Sequence, residues 1–204
     1  MGGVARYSDW ESGSEVDAVS DRELLERLRD GDASAFDALY EAYRPRLYAY
    51  LLRMTRRPDV AEDLLEETWL RLIRRPPRPE ATPGMSAWLF TVAHNLFVSW
   101  CRWRLLDAER VGEFARQTLR RSPAPAPLEA LTSDEETRRI EVALARLPAR
   151  SREALLLVGV EGMTPAEAAT VCAIAPEAMR ARLMRARRQL AEELGSDTSR
   201  RSER

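Results

Sequence analysis

Few residues in this chain have the chemistry to act on a substrate. There is one histidine, His94, and it stands mid-helix among Val92, Leu96 and Phe97. A Ser-His-Asp triad would have to be built on it. The two cysteines, Cys101 and Cys172, are far apart and form no CxxC pair. Both sit in apolar helical patterns, so they read as small core residues rather than as a disulfide or a redox pair. No spacing of histidine and cysteine suits a structural zinc. The glycine loops that cradle phosphates, GxGxxG and GxxxxGK[ST], are missing. Composition therefore predicts no catalytic residues, no cofactor and no metal, and a protein that is not an enzyme. The chemistry that remains is recognition. "TPAEAATVCAIAPEAMRARLMRARRQL" (164–190) ends in an arginine-rich helix, with five arginines against one glutamate between 175 and 190.

The whole 204-residue chain has a formal net charge of −1, so binding to an anion depends on where the arginines point. Local field outweighs net charge because screening removes the remainder beyond about 8–10 Å. At 100° per residue, Met179, Leu183, Ala186 and Leu190 fall on one stripe and face a core. Glu177, Ala181, Met184 and Arg188 face away, flanked by Arg180 and Arg187 on one side and by Arg182 and Arg185 on the other. All 32 basic residues are arginine, so position on the helix, not arginine content, carries the inference.

The elements that must position this helix can be read from their caps and periods. Thr164-Pro165-Ala166-Glu167 is a capping box with proline at the first helical position. Its short helix ends near Cys172, Ala173-Ile174-Ala175 makes a turn, and Pro176 opens the long helix. A short helix, a tight turn and a longer helix follow the helix-turn-helix plan. Ahead of this pair, "DEETRRIEVALARL" places Ile140, Leu144 and Leu147 on one side, and "PARSREALLLVGV" follows.

In the first half, Ser20 and Glu23 form another capping box, and that helix stops near Gly31. Asp32 caps the next helix, which Pro45 is expected to kink or briefly break. Pro58-Asp59 opens "DVAEDLLEETWLRLIRR", apolar on one side and carboxylate-rich on the rest. A proline-rich loop, "PPRPEATPG", leads to Ser86 and the aromatic helix "SAWLFTVAHNLFVSWCRWRLL". The prolines of "RRSPAPAPLEALTSDEE" favour an extended spacer. No period-2 strand and no repeat is found. The predicted organisation is all-α, with a flexible leader (1–19), a helical module (20–106), a linker (107–132), a helix-turn-helix module (133–195) and a frayed tail (196–204). The acidic N-terminus suits neither a signal nor a transit peptide, and no apolar run approaches the ~20 residues of a membrane span. A cytoplasmic protein without membrane insertion is expected.

Together, "AFDALYEAYRPRLYAYL", "AEDLLEETWLRLIRR", "AWLFTVAHNLF", "LARLPARSREALLLV" and "MTPAEAATVCAIAPEAMRARLMRARRQL" resemble, in order, the extracytoplasmic-function group of bacterial RNA polymerase sigma factors. The resemblance covers 20–106 and 130–192. It implies a subunit that directs core RNA polymerase to promoter DNA and is held in check by an anti-sigma partner. It places Asp63, Leu64, Glu66, Glu67 and Trp69 on the helix that docks on core polymerase. Asn95, Trp100, Arg102, Trp103 and Arg104 fall on the helix that melts and holds the −10 element, with Trp100 and Trp103 divided between core and DNA. His94 stands where the family usually has arginine. In the −35 reader, Arg180, Ala181, Met184 and Arg185 would face the major groove, with Glu177 and Arg188 on the same side. Ala173 replaces a common turn glycine, and Ala175, Glu177, Ala178 and Ala181 replace small or hydroxyl residues, which implies altered base selection. Two other readings stay open: a freestanding helix-turn-helix regulator, and a sigma-like decoy that binds a regulator without supporting transcription.

Overall fold

A computed structural model describes residues 20–78, 84–111 and 135–202. The expected leader, most of the expected linker, and the "PEATP" part of the proline-rich loop lie outside them. Every element among the described residues is helical.

Four helices make the first module: α1 (Asp21–Arg29), α2 (Ala33–Thr55), α3 (Pro58–Arg74) and α4 (Met85–Val111). Local chemistry sets their ends. Ser20 Oγ accepts from the Glu23 amide at 3.3 Å, and Gly31 takes the left-handed backbone (φ 86°) that ends α1. Asp32 accepts from the Ser34 amide at 2.9 Å. Bonds from Ser34 and Arg27 hold its carboxyl down at about 2. Of the expected kink or brief break at Pro45, the break does not occur: α2 runs through Pro45 without interruption. The proline lies exposed, while Tyr43, Leu47, Tyr50 and Leu51 on the turns around it are buried. The carbonyl that proline frees, on Glu41, lies on the solvent side, where water can satisfy it. Leu39, Leu47, Leu51, Leu72, Leu89 and Phe90 are fully buried and form the centre of this module.

The second module comprises α5 (Glu135–Arg146), α6 (Ala149–Leu155), α7 (Pro165–Val171) and α8 (Pro176–Ser202). A π-helical turn, Leu156–Val160, continues α6. Leu144 and Leu147 are buried as expected, but Ile140 is 38% exposed and Ala143 takes the inward place. The Thr164–Glu167 capping box is complete in both directions. Two expected boundaries move. α4 continues past 106 to Val111, and α8 runs through the expected tail to Ser202. Neither stretch contains proline, and Gly195 lies within α8 rather than ending it.

The two modules pack against each other, α4 on α7 and α2 on α6. Their buried apolar residues join into one continuous core.

Candidate nucleic-acid interface and the seam behind it

α8 sorts its residues as the helical wheel requires. Met179, Leu183 and Ala186 are buried, with Leu190 packed partly against them. Glu177, Arg180, Met184, Arg185 and Arg188 are exposed, Met184 at 74%, and Ala181 is half-buried between them. Spacings of three and four residues put this set on one outward stripe. Glu177 accepts from Arg180 at 2.9 Å, and Arg188 lies 3.8 Å from Glu192. Both are exposed pairs, which hold little energy and exchange readily for a phosphate or a base. Arg185 and Arg187 have no ion pair among the described residues, whereas Arg182 is half-buried. The turn before α8 is strained: Ala173 adopts φ 51°. That left-handed backbone suits glycine and costs an L-residue roughly 1–2 kcal/mol.

On α4, Asn95, Arg102 and Trp103 are exposed, with Ser99 between them, at spacings of four and three that align on one face. Trp103 is 67% exposed. Trp100 is half-buried, 6.1 Å from Phe97, and Arg104 lies over its ring at 4.8 Å. Of the two tryptophans divided between core and surface, Trp103 is therefore the free one. Trp88 is half-buried against the core and Phe90 is fully buried.

On α3, Asp63 and Glu66 are exposed and Glu67 is half-buried. Leu64 and Trp69, expected on the same contact surface, instead face inward. Trp69 is 4% exposed and packs on Phe36 and Tyr40 with centroids at 5.8 and 4.9 Å. Their spacing with Thr68 and Leu72 is that of the buried stripe. They support the acidic face from beneath and form no part of it.

What spacing could not anticipate is the seam between the modules. Tyr50 donates to Glu153 Oε1 at 2.8 Å. His94 Nδ1 lies 2.6 Å from the same oxygen, so the imidazole carries its proton on Nδ1 toward an ionised carboxylate. Burial pushes the Glu153 carboxyl up, but the bonds from His94 and Tyr50 outweigh it and hold it below the usual value. Cys172 completes the cluster, and burial beside this carboxylate pushes its thiol up to about 12. Arg152, 6% exposed, donates to the Arg53 carbonyl at 2.6 Å across the seam. It also bonds the Leu144 and Leu147 carbonyls of its own module, both at 3.0 Å. Around the edge, Arg53 grips Glu141 at 2.6 Å and Arg46 donates to Glu161 at 2.9 Å. The π-helical turn ends on Glu161.

Comparison with known proteins matches these two modules separately. The Sigma-70 region 2 family covers residues 39–104, and the Sigma-70, region 4 family covers residues 137–190. The RNA polymerase sigma factor CarQ of Myxococcus xanthus is 36% identical over 84% of this chain and 95% of its own length. The ECF RNA polymerase sigma factor EcfG of Rhodopseudomonas palustris is 32% identical over 82% of this chain and 84% of its own. Among solved structures, the sigma factor RpoE from Bartonella quintana, in complex with the anti-sigma factor NepR, is similar with a TM-score of 0.61. It is 30% identical, over 79% of this chain and 98% of that one. With both modules matched in order and relatives similar along nearly their full length, this chain belongs to the extracytoplasmic-function group of RNA polymerase sigma factors.

Proposed function

We propose that the chain is a promoter-specificity subunit, cytoplasmic and without catalysis of its own. It binds core RNA polymerase through α3, holds the −10 element on α4 and reads the −35 element with α8. The observation that carries this reading is the outward arginine stripe of α8, backed by a buried apolar seam in a capped helix-turn-helix. In α3 the polymerase contact falls to Asp63, Glu66 and Glu67, with Leu64 and Trp69 supporting the helix. In α4, Asn95, Arg102 and Trp103 face the melted strand. An unstacked base on an aromatic ring gains about 1–3 kcal/mol, and Trp103 offers the open ring. In α8, Arg185 is the reader with no competing ion pair. Glu177 and Arg180, bonded to each other, form an altered entrance that changes which bases are read.

The docked modules form the resting state of this subunit. Elements named −10 and −35 lie about 25 base pairs apart, about 85 Å along a duplex. A compact chain of about 200 residues has a radius of gyration near 17 Å and a diameter of about 45 Å. Docked, the modules fall short of both elements at once, so engagement with polymerase separates them. An anti-sigma partner, of the kind solved with the Bartonella quintana relative, would favour the closed form.

Run-off transcription with purified core polymerase on promoters of the source genome tests the reading. A specific transcript is expected. Failure to bind core and to direct any transcript would overturn it in favour of a regulator that binds DNA or an anti-sigma partner without transcribing. Arg185→Ala should cost about 1–3 kcal/mol of promoter recognition and leave core binding intact.

A further inference from the structure

His94, Glu153 and Cys172 come from α4, α6 and the end of α7, and their ligand atoms lie within 4.8 Å of one another. We propose that this cluster is a binding site for a borderline-soft divalent transition metal of the zinc class, bridging the two modules and holding the chain closed. The metal site stands apart from the sigma-factor reading, while its role in holding the chain closed rests on the docked resting state proposed above.

The donor set selects the class of ion. Imidazole nitrogen, thiolate sulfur and carboxylate oxygen are the three ligand types zinc uses, at about 2.0–2.3 Å. In a tetrahedral site such bonds separate the ligand atoms by roughly 3.3–3.8 Å. The cluster's 4.8 Å limit is reached from that spacing by small side-chain shifts, and the 2.6 Å His94–Glu153 contact has only to widen. Charge is matched as well: one thiolate and one carboxylate neutralise a divalent cation in a seam where the Glu153 side chain is 5% exposed. Magnesium and calcium, which require six or more oxygen ligands, find one carboxylate here.

Binding conserves atoms and charge without redox change. The cation accepts lone pairs from the Cys172 sulfur, the His94 Nδ1 and a Glu153 oxygen. The Cys172 thiol proton leaves to solvent, and the imidazole proton moves from Nδ1 to Nε2. Tyr50, 2.8 Å from Glu153 Oε1, remains a donor to the bound carboxylate and orients it. Arg182, whose positive charge lies close enough to act on the Cys172 thiol, is displaced toward solvent. Because His94 belongs to the first module and the other two ligands to the second, the complete set exists only when the modules are docked. A cation bound there shifts the equilibrium toward the closed form by mass action.

Cobalt(II), a spectroscopic stand-in for zinc, tests the site on the full reduced chain. The expected result is a thiolate-to-cobalt charge-transfer band saturating at about one equivalent and bleached by zinc. Cys172→Ser should abolish the band and Cys101→Ser should retain it. His94→Ala should weaken cobalt binding at least about tenfold. Zinc should raise the melting temperature of the wild type and not that of His94→Ala. Absence of a band at one equivalent, a band that follows Cys101, or equal zinc stabilisation of His94→Ala would overturn the proposal. In that case the cluster is a hydrogen-bonded clasp only. Run-off transcription without added zinc reads the sigma-factor function separately, so either inference can fail alone.

Discussion

The core of the first module and the seam between the modules are both buried and share one continuous set of apolar residues, yet the seam also carries charged hydrogen bonds. Leu51 and Phe90 are fully buried, and Phe90 meets Tyr50 edge-on with ring centroids 5.3 Å apart. A few ångströms away the same Tyr50 turns its hydroxyl to Glu153, and the seam continues through His94, Arg152 and Arg53 as charged hydrogen bonds. An apolar surface cannot be exposed cheaply, because water gives nothing in return. A polar surface regains its hydrogen bonds from water when it opens, so its net contribution is modest. The module core is therefore the costlier of the two to open, while the seam, part apolar and part charged, recovers some of its hydrogen bonds from water when it parts. That difference suits the proposed separation of the modules on a promoter.

The largest expected effect breaks the costlier side. Leu51→Ala removes a fully buried side chain and should cost about 2–5 kcal/mol of unfolding stability, measured by chemical denaturation. The loss should be the same when the first module is open to solvent as when the seam is closed. A cost that appears only in the docked form would mean that the core and seam are one unit.

Next comes the seam itself. Tyr50→Phe deletes a hydrogen bond to a buried carboxylate, and bonds to charged groups contribute about 1.5–3 kcal/mol. The effect should appear in the docking equilibrium, read as the distance between a label on α3 and one on α8. A cycle with Glu153→Gln should show coupling between the two residues, since they share one bond. Additive effects would place the tyrosine on the core side of the comparison.

Acid should open the seam with a smaller effect. Burial raises the Glu153 carboxyl, but His94 and Tyr50 hold it below its usual 4.5. A carboxyl depressed in the folded state contributes stability above its unfolded value, and that stability is lost as pH falls through the folded one. Glu161 works the other way. Burial raises its carboxyl against the pull of Arg46, so its contribution is present at acid pH and fades as pH rises. Opening is thus expected below about pH 4.5, blunted by Glu161, and the acid limb should flatten in Glu153→Gln. An unchanged limb would show that other carboxylates drive the opening.

The contrast also explains what could be read from sequence. Caps and helical periods depend on neighbours in the chain, so Ser20, Asp32, the Thr164–Glu167 box and the α8 stripe were all legible. Pro45 does not break α2 because a helix anchored by buried Tyr43 and Leu47 tolerates one lost bond on its solvent side. Leu64 and Trp69 were placed on a contact surface by resemblance, although their own stripe already pointed inward. The seam was invisible for a different reason. Tyr50, His94, Glu153 and Cys172 lie as many as 122 positions apart, and no local period links them. A lone histidine on a largely apolar helix was the only visible trace.

The smallest expected effect lies within the second module and separates its internal stability from that of the seam. Ala173 holds the turn before α8 at φ 51°, where a Cβ crowds the following carbonyl. Glycine removes that strain but adds freedom to the unfolded chain, and this cancels part of the gain. Ala173→Gly should therefore stabilise the chain by about 0.5–1 kcal/mol, seen as a higher denaturation midpoint with an unchanged slope. Ala173 is exposed and its neighbour Cys172 is buried in the seam cluster, so the substitution also tests how rigidly the turn holds that thiol. If the turn only stores strain, the Tyr50–Glu153 coupling will match the wild type. If the strained alanine is what sets Cys172 against Glu153, the glycine variant will gain stability within its module and dock more weakly. The strain would then be part of the clasp.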